Sequence, residues 1–152
     1  MADGGVVQVA DQVVGPYRVT VTTSPNPLRT GIADVSAIVL EGVDQLVPDA
    51  DVRVQAAPAA RPADVAGYPA THANATNKQY YAANVRVPDA GRWLFTIQVQ
   101  GPQGGGEVHF SADVSAALLG FTPFELACTI IPIAVVGLIL VGEVRRFLRR
   151  RV

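Results

Sequence analysis

Apolar and polar residues alternate with a period of two through much of residues 6–114. The clearest run is residues 92–100, where Trp93, Phe95, Ile97 and Val99 alternate with Arg92, Leu94, Thr96, Gln98 and Gln100. Successive side chains of a strand point to opposite faces, so this period predicts a half-buried strand. Residues 18–22 set Val19 and Val21 against Arg18, Thr20 and Thr22. Residues 32–40 form a further strand with few charges. Residues 50–55 set Val52 and Val54 against Asp51, Arg53 and Gln55. Residues 79–87 put Tyr81, Ala83, Val85 and Val87 on one face, which leaves Tyr80 on the other. The last strand, residues 107–114, turns Val108, Phe110, Ala112 and Val114 inward and His109 outward. Ser24-Pro25-Asn26-Pro27 and the glycine-rich residues 101–106 are turn signals. Residues 56–76 are rich in Ala, Pro and Asn, and predict a long loop or a mobile edge. Six or seven short strands with turns at close intervals make a β-sandwich.

The pattern changes after residue 120. Residues 126–142 read LACTIIPIAVVGLILVG, without a charged side chain. Thr122 suits a helix cap, Pro123 the first helical position and Glu125 the carboxylate of a capping box. A helix over residues 123–145 is roughly 34 Å long, enough to cross a hydrocarbon core. A buried helix of a soluble domain would carry a polar stripe, and residues 130–141 have none. Pro132 is tolerated better in a membrane helix than in a soluble one. Cys128, Thr129, Pro132 and Gly137 interrupt the Ile/Val/Leu run and are the candidate contacts to a partner helix. Gly137 and Gly142 lack GxxxG spacing. Arg145, Arg146, Arg149, Arg150 and Arg151 follow, and resist transfer across the bilayer, so the C-terminus belongs in the cytoplasm. The expected organisation is an extracytoplasmic sandwich over residues 1–120, a transmembrane helix over 121–145 and a basic cytoplasmic tail over 146–152.

Charge and cysteine usage sharpen this. Of the 152 residues, about 120 precede the span, one domain's worth. That segment holds 7 basic and 11 acidic residues, 7 − 11 = −4. Nucleic-acid binding, which wants a basic face, is excluded as an expectation. The arginine tail suits anionic lipid. Cys128, the one cysteine, falls in the span, so the sandwich is held by core packing alone. Residues 1–5 have neither the basic nor the apolar region of a leader; the expectation is a signal upstream or already removed, the alternative an insertion directed by the C-terminal helix.

Residues 80–93, YYAANVRVPDAGRW, are a strand, a Pro-x-Ala-Gly corner and an aromatic strand. With Gly15-Pro16-Tyr17-Arg18-Val19-Thr20-Val21, Ser24-Pro25 and Leu28-Arg29-Thr30-Gly31, they resemble the YtkA-like and FixH-like domains over most of residues 14–114. These are immunoglobulin-like bacterial modules exposed outside the cytoplasm. The resemblance implies an all-β immunoglobulin-like sandwich followed by a single C-terminal transmembrane α-helix. It also implies roles in oxidase assembly, copper handling or as an accessory to a membrane complex.

Copper sites draw on His, Met and Cys. The chain offers His72, expected in solvent in the Pro/Ala-rich loop, and His109 as weak metal candidates; no Met-rich or His-rich motif is present. No cysteine–histidine pair or Gly-x-Ser-x-Gly elbow points to catalysis. Asp49-Ala50-Asp51 lacks the run of oxygen ligands that calcium needs. Gly104, Gly105 and Gly106 open no helix and so cradle no phosphate. One of Tyr80 and Tyr81 is expected at the surface as a contact residue, and Trp93 in the core. The expected function is a non-enzymatic accessory or assembly subunit of a larger membrane complex of respiratory or electron-transfer type. It would sit in the bacterial cytoplasmic membrane, with the lipid bilayer and an integral-membrane complex as partners and no cofactor. The alternative is an extracytoplasmic copper-delivery module. The topology has a direct check: protease added outside intact cells should digest the sandwich and spare a C-terminal tag. Loss of the tag with the sandwich intact would reverse the orientation.

Overall fold

Alternating residues become strands here because one side of each can be buried against a second layer. The computed structural model describes residues 5–117, which lie in the first of two units, Met1–Ala117 and Leu118–Val152. The strands are β1 (Val6–Val14), β2 (Tyr17–Ser24), β3 (Gly31–Glu41), β4 (Gln45–Leu46), β5 (Asp51–Pro58), β6 (Ala66–Ala70), β7 (Tyr81–Val87), β8 (Gly91–Gly101) and β9 (Gly104–Val114). One antiparallel sheet runs β1-β2-β3, and the far side of β3 pairs with β7 along Gly31 to Ala37 and with β4 at Leu40 and Glu41. The other runs β6-β5-β8-β9, also antiparallel. Among the described residues no helix is long and apolar enough to cross a membrane. The expected span at 121–145 lies outside the described residues.

The two inner faces meet in one core. Val19, Val21, Val35, Val39, Val85 and Val87 come from the first sheet. Val52, Val54, Trp93, Phe95, Ile97, Val99 and Val108 come from the second. Every residue assigned to an inner face from the period of two is buried or packed against this core, Phe110 and Ala112 being partly buried. Phe95 and Phe110, paired across β8 and β9, stack with ring centroids 4.9 Å apart. Trp93 is 4% exposed, and its indole N–H donates to the Asp89 carbonyl at 2.9 Å. A buried indole needs such a partner.

Three sequence expectations change. The described residues hold nine strands rather than six or seven. Residues 56–76 are not simply a loop: β5 continues to Pro58, and β6 adds an edge strand. Pro69 of β6 lies opposite Arg53 on that edge, where a missing N–H is tolerated. The turn at 101–106 is shorter than expected, because Gly104, Gly105 and Gly106 already pair with Gly101, Gln100 and Val99. Gly106 allows β1 to close on β9: a Cβ there would lie 2.6 Å from Val14 Cγ1. Gly101 is required for a related reason, since its Cβ would collide with the Tyr17 hydroxyl, which accepts the Gln103 N–H at 2.9 Å. β1 is a strand, in line with the β pattern read from residue 6 onward, with register shifts near Val9, and Asp11 there has φ 50°. Arg18 ties it down, reaching Asp11 at 3.2 Å and Asp44 at 2.6 Å. These exposed ion pairs add little stability each.

Trp93→Ala should cost about 3–5 kcal/mol in chemical denaturation. A loss under about 1 kcal/mol would mean that the indole contributes little to the core.

Candidate functional site

The outer face of the first sheet carries oxygen-bearing side chains where the inner face carries valines. On β2 the outward residues include Thr22 and Ser24; on β3 they include Asp34 and Ser36. Register sets Thr22 beside Ser36 and Ser24 beside Asp34. Across the next ladder Ser36 lies beside Ala82 and Asp34 beside Asn84 of β7. The Ser36 hydroxyl donates to Asp34 Oδ1 at 3.1 Å.

Residues 71–80 fold over this face. After β6 the chain crosses from the second sheet to the first, where Thr71 bridges Ala82 with hydrogen bonds of 3.0 and 3.1 Å. The loop then covers β7, so Ala82 is only 1% exposed although it points outward, and Ala75 is 4% exposed. A groove of about 440 Å³ remains between loop and sheet. Thr22, Ser24, Asp34 and Ser36 line the sheet side; Ala75, Thr76, Asn77 and Tyr80 line the loop side. Thr23, the buried polar residue, also borders it and accepts a hydrogen bond from Gln8 Nε2 at 2.9 Å.

The loop is held by its own polar groups. Lys78 Nζ donates to the carbonyls of His72 (3.0 Å), Ala73 (3.2 Å) and Ala75 (2.7 Å). Charge-assisted bonds of this kind are stronger than neutral ones. Asn77 adds two more contacts: its carbonyl accepts the Tyr80 N–H at 3.0 Å, and its Oδ1 the Gln79 N–H at 3.1 Å. His72 lies 2.9 Å through Nδ1 from the Tyr80 carbonyl and 3.2 Å through Nε2 from the Pro48 carbonyl. A neutral imidazole donates through one nitrogen only, so both bonds form together only with the protonated ring. The ring also packs on Tyr81, centroids 4.0 Å apart. His72 is therefore half-buried and clamped, where the sequence suggested solvent, because Tyr81 offers it a ring face and the β4–β5 connection offers a carbonyl.

Tyr81 anchors the arrangement. Its hydroxyl donates to the Val47 carbonyl at 2.6 Å and accepts the Ala50 N–H at 3.0 Å. Burial pushes the phenol above its ordinary value of 10.0; the Ala50 N–H opposes this and the Asp49 charge adds to it. Tyr80 faces the other way, half-buried at the groove wall. The two tyrosines differ in burial, but Tyr80 is half-buried rather than exposed as expected.

His109 sits apart, exposed on the outer face of the second sheet. Its Nδ1 is 3.0 Å from Thr96 Oγ1 and its Nε2 3.6 Å from Glu107 Oε2. His72, in the loop before β7, and His109, on β9, have separate partners. Among the described residues no group of three or more His, Cys, Asp or Glu is placed to hold a metal ion. The other candidates, Cys128, Thr129, Pro132, Gly137 and the five arginines, lie outside the described residues. Sequence reading missed Thr22, Ser24, Asp34, Ser36 and Asn77 as a group. The signal available was the outward pair Thr20 and Thr22 on a strand that buries Val19 and Val21 on its other side.

No family model matches the chain, and no curated protein matches it. Among solved structures, a DUF4426 family protein from Pseudomonas aeruginosa is similar at 16% identity and TM-score 0.51, over 76% of this chain and 98% of that one. At that identity the likeness shows the fold alone: a two-sheet β-sandwich. The PKD domain of the human VPS10 domain-containing receptor SorCS2 aligns at 18% identity and TM-score 0.37, over 79% of this chain and 95% of that one.

Tyr81 gives a pH test. A phenol raised in the folded state stabilises fully below its unfolded value, and the contribution is lost as pH rises through the folded value. Urea denaturation should show stability falling above pH 10.0, with a smaller fall in Tyr81→Phe. At neutral pH Tyr81→Phe should cost about 1–3 kcal/mol, because the Val47 carbonyl and the Ala50 N–H lose a partner. The same alkaline fall in both proteins would place its origin elsewhere.

Proposed function

We propose that this chain is a non-enzymatic accessory or assembly subunit of a larger membrane complex, of respiratory or electron-transfer type. In this reading it is a single-pass protein of the bacterial cytoplasmic membrane, with the sandwich outside and the C-terminus in the cytoplasm. The observation that carries the reading is the uncharged run at 126–142 with five arginines behind it. The YtkA-like or FixH-like, immunoglobulin-like assignment belongs to the same proposal. It is supported by the Pro88-Asp89-Ala90-Gly91 corner, which joins β7 to β8 between two buried strands.

Two features suit a subunit that displays a domain. The sandwich has a continuous core of its own, so it needs no partner to bury its inner faces. Its last residues are fastened rather than loose. Thr30 N donates to the Ser115 carbonyl and Ser115 N to the Leu28 carbonyl, each at 2.9 Å, and Ala117 N donates to Thr30 Oγ1 at 2.8 Å. Recognition of the larger complex is assigned to the span, through Cys128, Thr129, Pro132 and Gly137. Small and mildly polar residues let membrane helices approach closely.

Replacing residues 126–142 with poly-leucine should keep the protein in the membrane fraction and abolish co-purification of its partner subunits in mild detergent. Retention of the same subunits would move recognition to the sandwich. A native chain that brings down no integral-membrane subunit, or that leaves the membrane at high salt, would overturn the reading. A copper titration of the purified chain separates it from copper delivery, which requires tight binding lost on replacing His72 and His109.

A further inference from the structure

We propose that the end of the sandwich at which the chain arrives at Ala117 is a docking surface for an anionic phospholipid bilayer, with Arg29 and Arg86 meeting its phosphates and Ile32 its apolar boundary. The inference rests on the single-pass reading above and names what the sandwich itself touches in it. Ala117 is fixed to the domain: its N–H donates to Thr30 Oγ1 at 2.8 Å, and Ser115 bridges Arg29 in parallel. The span proposed at 121–145 begins four residues later (121 − 117 = 4), and four residues reach at most about 14 Å. In that reading the residues around Thr30 are held close to the membrane.

Register decides which residues those are. Gly31 pairs with Val87 and Ile32 with Arg86, and Thr30, Ile32, Arg86 and Pro88 border one shallow depression. Ile32 is 61% exposed, although isoleucine is among the residues most often fully buried. Arg86 is exposed beside it on the same outer face. Cross-strand neighbours have Cβ atoms about 5 Å apart. At that spacing an arginine keeps its head at phosphate depth while the isoleucine enters the apolar boundary, because the arginine stem is itself apolar. Val65, 53% exposed, lies on the β5–β6 connection that Arg61 ties to Asp89 at 2.8 Å. Asp89 follows Pro88, so a second exposed apolar side chain belongs to this end.

Charge differs between the two ends of the strands. At the Ala117 end, Asp64, Asp89 and Asp113 each lie within 3.5 Å of Arg61 or Arg92. Arg29 and Arg86 add two further positive charges there. Asp34 stands one same-face step, about 7 Å, further from this end than Ile32, and it has partners of its own. Glu41, Asp44, Asp49 and Asp51 belong to the opposite end, where β3 finishes and β5 begins. The ten steps of β3 from Gly31 to Glu41 separate the ends by roughly 33 Å. That is several Debye lengths at physiological salt, so the acidic end does not cancel the arginines at a surface. Guanidinium groups pair well with phosphate oxygens. Exposed apolar side chains beside them fit a bilayer better than a soluble anion.

The test uses the full chain with Cys128→Ser, reconstituted into vesicles of phosphatidylglycerol and phosphatidylcholine in equal parts. A fluorophore is attached through Pro88→Cys, which leaves Arg29, Arg86 and Ile32 in place, or through Val43→Cys at the far end, where Val43 is 93% exposed. Circular dichroism checks that each labelled chain folds. The label at 88 should be protected from acrylamide, and should lose that protection in high salt or in phosphatidylcholine alone. The label at 43 should be quenched throughout. Replacing Arg29→Gln and Arg86→Gln together should lower the ratio of protected to quenched label about thirtyfold, about fivefold for each arginine. Arg29→Lys with Arg86→Lys, which keeps the charge, should retain most of it. Ile32→Ser should lower the ratio about tenfold. A chain that does not float with the vesicles overturns the single-pass reading and the docking with it. A chain that floats while the label at 88 is quenched as fully as that at 43 overturns the docking alone. So does protection that survives the paired glutamines or is equal in phosphatidylcholine alone.

Discussion

The Tyr81 hydroxyl is the point on which the candidate site depends. It joins the start of β7 to Val47 and Ala50, at the connection leading from the first sheet to the second. Its ring also supports His72, whose nitrogens reach the Tyr80 and Pro48 carbonyls. One buried phenol thus connects three segments that are distant in sequence. A buried polar group is stabilising only when its partners are present, so each segment holds the others in register. The groove wall at residues 75–80 is held by this junction and by the Lys78 ammonium.

The rest of the sandwich is closed by different means on its two sides. At β6 and β7 the Thr71–Ala82 bridge carries the chain from one sheet to the other. At β1 and β9 the closure is steric: a Cβ on Gly106 would meet Val14, and one on Gly15 would meet the Gly105 carbonyl. Edge strands are otherwise templates for unwanted pairing. β1 adds a bulged, twisted course pinned by Arg18 and Asp11, which also disfavours edge-to-edge association. With no disulfide in the described sandwich, these contacts and the two-layer core keep the sheets together. The outer faces are then available for chemistry, and the face of β2 and β3 differs from the others in bearing adjacent hydroxyls and a carboxylate.

Legibility followed the range of the interaction. Val19 and Val21, Val52 and Val54, and the Trp93, Phe95, Ile97, Val99 row are buried as their period of two required. That signal is local: a residue two positions away shares its face. β6 was not legible, because Gly67 and Pro69 have weak strand preference and take extended form only beside β5. Gly106 read as a turn residue, since its reason is the approach of Val14 from far along the chain. His72 read as solvated for the same cause: its partners are contributed by Pro48, Tyr80 and Tyr81. Of the groove, Tyr80 was legible as the outward member of a tyrosine pair. Thr22 was legible only as outward-facing, Ser24 as part of a turn, and Asp34 and Ser36 as members of a strand with no face assigned.

The sequence by itself determined which side of each principal strand is buried, that the chain makes a β-sandwich, and that an uncharged run with arginines behind it follows. Each of these is written in neighbouring residues, through side-chain alternation and local hydropathy. Only the tertiary structure decided which strands lie side by side, that Ala82 is covered although it points outward, and that residues 75–80 stand over residues 22–36. Those facts rest on lateral register and on a crossing loop. Both are selected by the packing of the whole domain rather than by any short stretch of it.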